Sequence, residues 1–288
     1  MSFAGRIIAV DWGTTNRRIY LIENGGVIRA ARDERGVATI ESGGFESELL
    51  AIRQEFGDLP MLLAGMVGSN IGWRLAPYAS APAGIAELVR DVLWIDDRTA
   101  IVPGIATTSD VMRGEEVQLL GAVEAQLVPR SGLFCQPGTH TKWVEMEAGR
   151  VARFTTSMAG ELFALIRSHG LLAAQLGGEV TLGAAFRAGV EEGARRDLLA
   201  SLFNIRAAKL LGLRDDADAA SFASGLLIGA DAAGRLTGRS HETVYVLADP
   251  QLGSLYAAAI EAQGAAAMIV DSHAAFEAGI TAIAAGLA

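Results

Sequence analysis

One short pattern occurs twice in the chain and constrains its fold more than any other feature. Each copy is an apolar run that ends at a Gly-Thr step, followed by a second apolar run, a turn and a third run. The two steps are Gly13-Thr14 and Gly138-Thr139, and the flanking segments stay in step to within about one residue. Agreement over three consecutive elements is rare by chance, so the sequence predicts a duplicated unit of strand, loop, strand, turn and strand.

Residue periodicity predicts strands and helices in both halves of the chain. In the first half we expect strands at 6–12, 17–23, 27–32, 60–65 and 99–103, and helices at 45–56 and 114–127. In the second half we expect strands at 133–137, 141–147, 150–156, 243–248 and 266–270, and helices at 160–168, 179–195, 198–211, 219–236, 251–263 and 273–285. The turn-forming stretch Pro129-Arg130-Ser131-Gly132 separates the halves. The prediction is an α/β fold with two domains, residues 1–129 and 130–288, and a cleft between them.

Composition and charge argue against several classes of protein. A net charge of −9 and an isoelectric point near 5.0 speak against a nucleic-acid partner, which needs a basic face. Mean hydropathy is positive, at +0.31, but the apolar stretches are broken by charges before about 18 residues, so we expect no membrane span. The first residues lack the order of a signal peptide, and the single cysteine, Cys135, fits a reducing cytoplasm.

Both Gly-Thr steps have the chemistry of a phosphate-binding loop. Glycine lets the backbone approach a ligand closely, so that successive N–H groups and threonine hydroxyls converge on phosphate oxygens. Gly13, Thr14 and Thr15 form the first candidate loop, and Gly138 and Thr139 form the second. An ordinary hairpin turn explains either loop alone, but two facing loops would hold a polyphosphate such as that of ATP. Neither the Walker pattern nor the dinucleotide-binding glycine pattern is present in the sequence.

The two loops differ in charge, which predicts different tasks for them. Asp11 ends the first strand, where a carboxylate can hold Mg²⁺ beside the phosphates, directly or through water. Its structural alternative is to cap the turn. The second copy has neutral Gln136 at the matching place and Lys142 after the loop. We therefore expect the first loop to serve the metal and the second to bind phosphate.

Two carboxylates at the start of the helix predicted at 114–127 are candidates for the catalytic base. Glu115 and Glu116 follow Gly114 there. Transfer of a phosphoryl group to an alcohol needs a carboxylate that accepts the hydroxyl proton. Stabilisation of the first helical turn is the structural alternative. We prefer Glu115 as the base, with Glu116 as the second candidate.

A glycine-rich segment after the strand at 60–65 is the candidate substrate loop, and we expect it to be flexible. It lies at a strand end, where α/β proteins place ligand groups. Its candidate contacts are Ser69, Asn70, Trp73 and Arg74. Arg74 or Arg113 could pair with a substrate carboxylate through two parallel hydrogen bonds. Core packing for Trp73 and a surface charge for Arg74 are the structural alternatives.

Longer segments of the chain resemble a known family. The run from Asp11 to Arg18 resembles the first phosphate motif of sugar kinases with the actin/hexokinase-like ATPase fold, and Gly138-Thr139 stands where that superfamily has its second. The chain looks most like the 2-dehydro-3-deoxygalactonokinase family. The segments that carry this resemblance are DWGTTN (11–16), AGMVGSNIGW (64–73), MRGEEVQLLGA (112–122), PGTHTKWV (137–144), MAGEL (158–162) and SGLLIGA (224–230).

The resemblance implies two ribonuclease-H-like lobes and a kinase acting in galactonate breakdown. It implies transfer of the γ-phosphate of MgATP to the C6 hydroxyl of 2-dehydro-3-deoxy-D-galactonate. It further implies that Asp11 serves the metal, that Arg18 braces the first loop, and that the base lies near Glu115. The chain departs from related ATPases at Asp249-Pro250, where they usually have a glycine pair before the adenosine-binding helix. Asp249 is therefore a candidate adenosine contact at a position where related ATPases usually have glycine.

Three alternatives keep the same fold. One is a kinase for another keto-sugar acid or a polyol, the second is a regulatory ATPase without a sugar substrate, and the third is a phosphatase. The polar loop at 69–74 argues against the regulatory ATPase, because a pure switch has no need of it. The oligomeric state stays open, with a homodimer as one option.

Overall fold

The computed structural model describes Phe3 and residues 5–195, 197–239 and 241–288, which form two compact units. The first unit contains the chain up to Ser131 together with Glu145–Phe154 and Ser272–Ala288. The second contains Gly132–Val144 and Thr155–Asp271. The predicted domains, 1–129 and 130–288, were divided at the turn-forming stretch Pro129-Arg130-Ser131-Gly132, and their functional division stays a prediction.

Fourteen strands and nine helices lie within the described residues. The strands are β1 (Arg6–Trp12), β2 (Arg17–Glu23), β3 (Gly26–Asp33), β4 (Met61–Gly65), β5 (Tyr78–Ser80), β6 (Leu93–Asp96), β7 (Thr99–Ile101), β8 (Gly104–Ala106), β9 (Val111–Met112), β10 (Gly132–Gln136), β11 (Thr141–Glu147), β12 (Arg150–Ser157), β13 (Thr243–Ala248) and β14 (Ala266–Asp271). The helices are α1 (Phe45–Phe56), α2 (Ile85–Arg90), α3 (Glu115–Glu124), α4 (Ala159–Ser168), α5 (Ala184–Gly193), α6 (Leu198–Leu210), α7 (Asp216–Arg235), α8 (Pro250–Ala262) and α9 (Ser272–Gly286).

Five strands have the same order in both larger sheets, which confirms the predicted duplication. The order is β3-β2-β1-β4-β7-β6 in one sheet and β12-β11-β10-β13-β14 in the other. In the first sheet β2 is antiparallel to both neighbours, while β1, β4 and β7 are parallel. In the second sheet β10, β13 and β14 are parallel in the same way. A small third sheet has the order β5-β8-β9.

Helices cover both faces of the first sheet. Because side chains alternate along a strand, Ile8, Val10 and Trp12 of β1 all point to one face, where they pack against α1. On the other face, the ring of Tyr20 stacks on Phe276 of α9, with 5.4 Å between the ring centroids. Helix α3 packs against α9 as well. The first sheet and its helices therefore fix where α3 begins.

The second sheet packs against α5, α7 and α8. Leu133 and Cys135 of β10 and Trp143 of β11 are buried in one cluster with residues of these helices. Burial raises the pKa of the Cys135 thiol, so that it stays protonated and unreactive. This core fixes the positions of α7 and α8, both of which contribute to the candidate site of the second unit.

Local patterns predicted the long elements and missed the short ones. The predicted helix at 45–56 coincides with α1, and the hairpin turn between β2 and β3 has Asn24 and Gly25 at φ 51° and 81°, as the Asn-Gly signal indicates. The strands β5, β6, β8 and β9 and the helix α2 were not predicted, because they are too short to show a period. No helix in the described ranges is both long and apolar enough to cross a membrane.

Candidate active site

The carboxyl ends of β1 and β4 form the centre of the candidate site in the first unit. The two strands are parallel neighbours, with Asp11 beside Ala64 and Trp12 beside Gly65. Helix α3 begins against them, since a Cβ on Gly114 would lie 3.2 Å from the Cα of Gly65. Gly114 has a φ of 105°, which favours glycine. The strand ends, the first loop and the amino end of α3 therefore lie side by side.

The first Gly-Thr loop turns its carbonyl groups toward a neighbouring segment of the same unit. The N–H of Gly13 donates to the carbonyl of Asn16 at 2.9 Å and closes the turn. The carbonyls of Gly13, Thr14 and Thr15 accept N–H bonds of 3.0 to 3.2 Å from residues 36–38. Because the N–H and C=O of a peptide point in opposite directions, the N–H side of the loop faces away from this contact. Such a row of N–H groups is suited to a phosphate.

Gly36 makes this arrangement possible. A Cβ at Gly36 would lie 2.3 Å from the carbonyl oxygen of Thr14, a distance that no side chain tolerates. The sequence carries no local signal for this contact, because Gly36 lies far along the chain from the loop that it meets.

Behind the first loop, Arg17 is the buried centre of an ion network whose outer members, Asp33 and Arg35, reach solvent. Its guanidinium donates to Asp33 at 3.0 Å and to Glu48 at 2.8 Å, and it lies over the ring of Trp12. Arg35 binds the same carboxylate of Glu48. The hydrogen bond from Arg35 lowers the pKa of the Glu48 carboxyl, and Arg17 lowers this pKa further. The network holds β1, β2 and α1 together beneath the loop.

This network was not predicted, although the sequence contains one indication of it. Arg17 and Arg18 are adjacent in a strand, and adjacent strand residues point to opposite faces. One of the two arginines must therefore face the core side, where it needs an acidic partner.

Asp11 and Arg18 face each other across β1 and β2. Nη1 of Arg18 lies 3.4 Å from Oδ2 of Asp11. Burial raises the pKa of Asp11, while Arg18 and, more weakly, His273 lower it. Asp11 is thus the observed partner of Arg18, and the bracing of the first loop by Arg18 stays a prediction.

A lone carboxylate at the strand end suits Mg²⁺ that arrives with a nucleotide. Among the residues that the structure describes, no three His, Cys, Asp or Glu side chains form a cage for a resident metal. In kinases Mg²⁺ usually keeps waters and takes one or two carboxylates together with phosphate oxygens. Asp11 therefore fits the metal as one ligand, beside a loop suited to phosphate.

The two glutamates at the start of α3 have different environments. Glu116 has no exposed surface, and both of its carboxylate oxygens accept the N–H of Gly114, at 2.8 and 2.7 Å. Burial, followed by repulsion from Glu115, raises the pKa of Glu116 to about 8. Glu115 is half-buried, and its Oε2 accepts the N–H of Arg113 at 3.0 Å. Glu115 is the one of the two that keeps access to solvent.

Hydrogen bonds within the candidate substrate loop shape its backbone, and its flexibility stays a prediction. It starts with a short 3₁₀ turn at Met66–Gly68. The hydroxyl of Ser69 donates to the carbonyl of Met66 at 2.7 Å, and the N–H of Trp73 donates to the carbonyl of Val67 at 2.8 Å. Asn70 remains exposed at the loop surface.

Trp73 and Arg74 stack on one another at the end of this loop. The ring of Trp73 lies parallel to that of Phe45, with centroids 6.2 Å apart, and packs against the core beside α1. The guanidinium of Arg74 lies 5.5 Å from the Trp73 ring and 3.9 Å from Glu46. Packing thus explains the position of Trp73, and its contact with a substrate stays a prediction.

Arg113 lies beneath the same loop and is 8% exposed. Its Nη2 donates to the carbonyl of Ala76 at 2.8 Å, and its guanidinium lies 4.2 Å from the ring of Tyr78. Its Nε and Nη1 are buried, and neither has a hydrogen-bond partner within the described part of the chain. Buried nitrogens of this kind are costly unless an acceptor reaches them, so they suit an anionic partner.

In the second unit, the Gly138 loop lies against the amino end of α4. The N–H of Glu161 donates to the carbonyl of Thr139 at 2.9 Å. A Cβ on Gly160 would lie 2.2 Å from the carbonyl oxygen of Gly138, so the contact requires glycine. Nε2 of His140 and Oε2 of Glu161 are 2.6 Å apart. The amino end of a helix carries a positive partial charge, which together with the loop suits a phosphate.

An apolar pocket opens beside the second loop. It is lined by Gly138, Ala159, Gly160, Phe163, Ser224, Leu227, Ile228, Leu252 and Tyr256. The hydroxyls of Tyr256 and Thr141 are 2.6 Å apart and fix one wall. Apolar walls with few polar groups are typical of small-molecule sites.

Asp249 and Lys142 have structural partners in the second unit. The carboxylate of Asp249 accepts the N–H groups of Gln251 and Leu252, both at 3.1 Å, and caps α8. Lys142 is buried, and its Nζ donates to Thr156 at 2.8 Å. The helix cap and this bond explain both residues, whose contacts with a nucleotide stay predictions.

Comparisons with known proteins match nearly the whole chain to one family. The family described as 2-keto-3-deoxy-galactonokinase matches residues 11–283. The 2-dehydro-3-deoxygalactonokinase of Escherichia coli (strain K12) is 36% identical over 287 residues, which cover 97% of each chain. The Rhizobium meliloti (strain 1021) protein named probable 2-dehydro-3-deoxygalactonokinase DgoK1 is 40% identical over 99% of this chain and 98% of its own.

Two solved structures are similar to this chain in fold. A crystal structure of a Sinorhizobium meliloti protein assigned as a 2-dehydro-3-deoxygalactonokinase has a TM-score of 0.89 at 38% identity, over 96% of this chain and 98% of that one. The activator of 2-hydroxyisocaproyl-CoA dehydratase from Clostridium difficile, with bound ADPNP, has a TM-score of 0.50 at 10% identity and shares the fold alone. The predicted actin/hexokinase-like ATPase fold is confirmed.

Proposed function

The chain belongs to the 2-keto-3-deoxy-galactonokinase family, and we propose that it transfers the γ-phosphate of ATP to the C6 hydroxyl of 2-dehydro-3-deoxy-D-galactonate. One observation supports the proposal most: Asp11 and the first Gly-Thr loop lie at the end of β1, and Gly114, which precedes Glu115, lies against Gly65 at the end of the neighbouring strand β4. Phosphoryl transfer requires a carboxylate that holds the metal, N–H groups that bind phosphate oxygens and a second carboxylate that accepts a proton.

Glu115 acts as the general base in this reaction. It accepts the proton of the C6 hydroxyl while the C6 oxygen forms a bond to the γ-phosphorus. The bond from that phosphorus to the bridging oxygen breaks, and ADP leaves with the electron pair. A base of this kind contributes about 10²- to 10⁴-fold to the rate. Solvent access supports Glu115 over the buried Glu116.

Asp11 would hold Mg²⁺ that comes with ATP. When bound, the ion neutralises charge on the phosphate oxygens. Arg18, 3.4 Å from Asp11, orients the carboxylate. The N–H groups of Thr14 and Thr15, on the side of the loop away from residues 36–38, bind the phosphate that is transferred.

The second unit binds the nucleoside diphosphate part of ATP. The adenine ring occupies the apolar pocket beside Gly138, between residues of α4, α7 and α8. Gly138, Thr139 and the amino end of α4 bind phosphate oxygens. The short contact between Gly160 and Gly138 supports this assignment, since it brings the helix end to the loop.

The substrate carboxylate binds to Arg113 or Arg74. We prefer Arg113, because its Nε and Nη1 are buried without a partner among the described residues, whereas Arg74 stacks on Trp73 near Glu46. Asn70, exposed on the same loop, bonds the substrate hydroxyls. Ser69 and Trp73 keep the loop in shape.

We place the reaction in the cytoplasm, where ATP is the ordinary phosphoryl donor. The free, buried thiol of Cys135 is compatible with a reducing compartment.

A coupled assay of ADP release tests the proposed substrate. The purified chain is given ATP and Mg²⁺ with 2-dehydro-3-deoxy-D-galactonate, its gluconate epimer or glycerol. We expect the galactonate derivative to give the highest kcat/KM. A higher value for the epimer or for glycerol would assign the site to another sugar acid or a polyol. ADP release that is indifferent to all three would indicate a regulatory ATPase.

A further inference from the structure

Three strands of the first sheet carry charged side chains in one row, on the face that packs against α9. Asp11 of β1 lies opposite Arg18 of β2, and Arg18 lies opposite Arg32 of β3. Residues that lie directly opposite each other in a sheet point to the same face. Tyr20 is two residues from Arg18 on that face, and its ring stacks on Phe276 of α9. Two arginines therefore stand side by side next to Asp11.

The pair of Arg18 and Arg32 is electrostatically unfavourable by itself. Like charges that lie directly opposite each other on neighbouring strands destabilise a sheet. Nη1 of Arg18 is 3.4 Å from Oδ2 of Asp11, so this carboxylate compensates one of the two positive charges. Arg32 is exposed, and it makes no hydrogen bond or ion pair with another residue that the structure describes. The row therefore holds one positive charge more than its carboxylate compensates.

A cavity of about 350 Å³ opens at this pair of arginines, within the first unit. Its basic groups come from Arg18, Arg32 and His273, and its carboxylate comes from Glu277. Ala30 also lines the cavity, with a side chain too small to fill it. We call this cavity the Arg32 pocket. Small-molecule sites have volumes of about 300 to 1,000 Å³, so the Arg32 pocket has room for more than a bare phosphate ion.

The two ends of the Arg32 pocket differ in charge. Burial raises the pKa of Asp11, and His273 lies close enough to lower this pKa in part, so the start of α9 lies at the arginine end of the pocket. Glu277 follows one helical turn later, about 5.4 Å along the axis. A carboxylate repels anions but accepts hydrogen bonds from hydroxyl groups. The pocket therefore suits a ligand with an anionic group at one end and hydroxyl groups at the other.

We propose that the Arg32 pocket binds a small sugar phosphate, with its phosphate group on Arg18 and Arg32 and its hydroxyl groups on Glu277. Guanidinium groups bind phosphate oxygens through charge-assisted hydrogen bonds. A phosphate monoester carries about −1.5 to −2 charges at pH 7, which compensates the positive charge that Asp11 leaves over. Inorganic phosphate has a similar charge but no carbon-bound hydroxyls for Glu277, so it binds more weakly.

The Arg32 pocket is separate from the proposed transfer site, although Arg18 lies at both. Arg32 is two strands away from Asp11, about 10 Å across the sheet. The first Gly-Thr loop instead lies beyond the end of β1. Binding in the Arg32 pocket involves neither ATP nor phosphoryl transfer, so it does not depend on the proposed function.

Isothermal titration calorimetry of the full chain tests the Arg32 pocket. The protein is first saturated with Mg²⁺ and a non-hydrolysable ATP analogue, whose phosphates exclude other phosphates from the transfer site. The probes are two sugar phosphates, glucose 6-phosphate and the 6-phosphate of 2-dehydro-3-deoxy-D-galactonate, and inorganic phosphate. We expect at least one sugar phosphate to bind with a Kd at least about 10-fold below that of inorganic phosphate, because the hydroxyls bond a charged group.

Two variants and a matched control locate the binding. Arg32→Gln removes one charged partner of the phosphate and should raise the Kd of the sugar phosphate at least about 10-fold. Ala30→Asp places a carboxylate in the pocket and should have the same effect while Arg32 is kept. The control is Arg29→Gln, which removes the same charge from the other face of β3, where Arg29 pairs with Glu55. Its Kd should stay within about 2-fold of the wild type, and circular dichroism checks that all three are folded.

Four results would overturn the proposal. The first is the absence of sugar-phosphate binding up to about 10 mM, well above the range of a specific site. The second is a Kd that Arg32→Gln or Ala30→Asp leaves unchanged. The third is an equal loss in Arg29→Gln, which would indicate attraction by overall charge. The fourth is inorganic phosphate that binds as tightly as the sugar phosphates, since Glu277 would then contact no hydroxyl.

The titrations also separate this proposal from the proposed function. A chain that fails to bind the ATP analogue would contradict the proposed function alone. The same titrations without the analogue would then still test the Arg32 pocket, because the three variants change residues outside the transfer site.

Discussion

The backbone N–H of Gly114 donates to both carboxylate oxygens of Glu116, at 2.8 and 2.7 Å, inside a site without solvent access. These bonds fix the first turn of α3, and Gly114 itself lies against Gly65 at the end of β4. Burial raises the pKa of Glu116 to about 8, so at pH 7 it is mostly protonated and cannot accept another proton there. Its half-buried neighbour Glu115 is therefore the carboxylate that we propose as the base.

The titration of Glu116 makes the protein less stable as pH rises. Its folded pKa, about 8, lies above the unfolded value of about 4.3, so the folded state binds the proton more tightly. The free energy that the protonated Glu116 contributes to folding is fully present below about pH 4.3 and is lost as pH rises through about 8. Glu116→Gln removes this titration. The urea midpoint should fall more steeply from pH 5.5 to 8 in the wild type than in the variant, and equal slopes would contradict the buried, protonated acid.

The ion network behind the first loop predicts sensitivity to acid. The folded pKa of Glu48 is lowered, first by Arg35 and then by Arg17, so its stabilisation is present above the unfolded pKa and is lost as pH falls through the folded one. Glu48→Gln should cost about 2 to 4 kcal/mol at pH 7, because it leaves Arg17 buried without that charge. Urea denaturation at pH 7 and pH 3.5 measures the cost, which should shrink at the lower pH. A constant difference between the two pH values is the contrary result.

The contact between Gly36 and the first loop predicts a local effect on phosphate binding. In Gly36→Ala the new Cβ would lie 2.3 Å from the carbonyl oxygen of Thr14, so the loop must shift. We expect kcat/KM for ATP to fall about 10-fold or more, since a misplaced loop loses aligned N–H groups. Gly177→Ala is the control, because a Cβ there meets nothing within 4 Å. Equal activity of both variants would argue against the loop as the phosphate site.

The apolar pocket of the second unit predicts that a substitution there weakens ATP binding without weakening sugar-acid binding. Ser224→Leu places a larger side chain in the pocket wall and should raise KM for ATP about 10-fold, with KM for the sugar acid little changed. Asp249→Asn is the control. Asparagine also caps helices well, so this variant should keep both constants. A larger effect of Asp249→Asn on KM for ATP would make Asp249 an adenosine contact after all.

Local patterns predicted the parts of the fold that depend on consecutive residues. The duplicated strands, the Asn24-Gly25 turn and the helix at 45–56 all follow from periodicity and turn chemistry. The predicted helix at 114–127 begins within two residues of α3, which ends at Glu124. These elements sufficed to place Asp11 and Glu115 near strand and helix ends.

Contacts between distant residues could not be predicted in this way. The pairing of Arg17 with Glu48, the fit of Gly36 to Thr14 and the approach of Gly114 to Gly65 join segments that are far apart in the chain. The same holds for the apolar pocket, whose walls come from three helices and a loop. Each of these contacts depends on the packed fold, which single-sequence patterns do not specify.

The turnover of Glu115→Gln beside that of Glu116→Gln tests the central claim most directly. Both variants are assayed with ATP, Mg²⁺ and 2-dehydro-3-deoxy-D-galactonate at saturation. Loss of the general base should lower kcat of Glu115→Gln about 10²- to 10⁴-fold with little change in KM for ATP. Glu116→Gln replaces a protonated acid by a neutral amide of similar shape and should stay within about 3-fold of the wild type. Full turnover by Glu115→Gln, or a greater loss in Glu116→Gln, would contradict the assignment of the base.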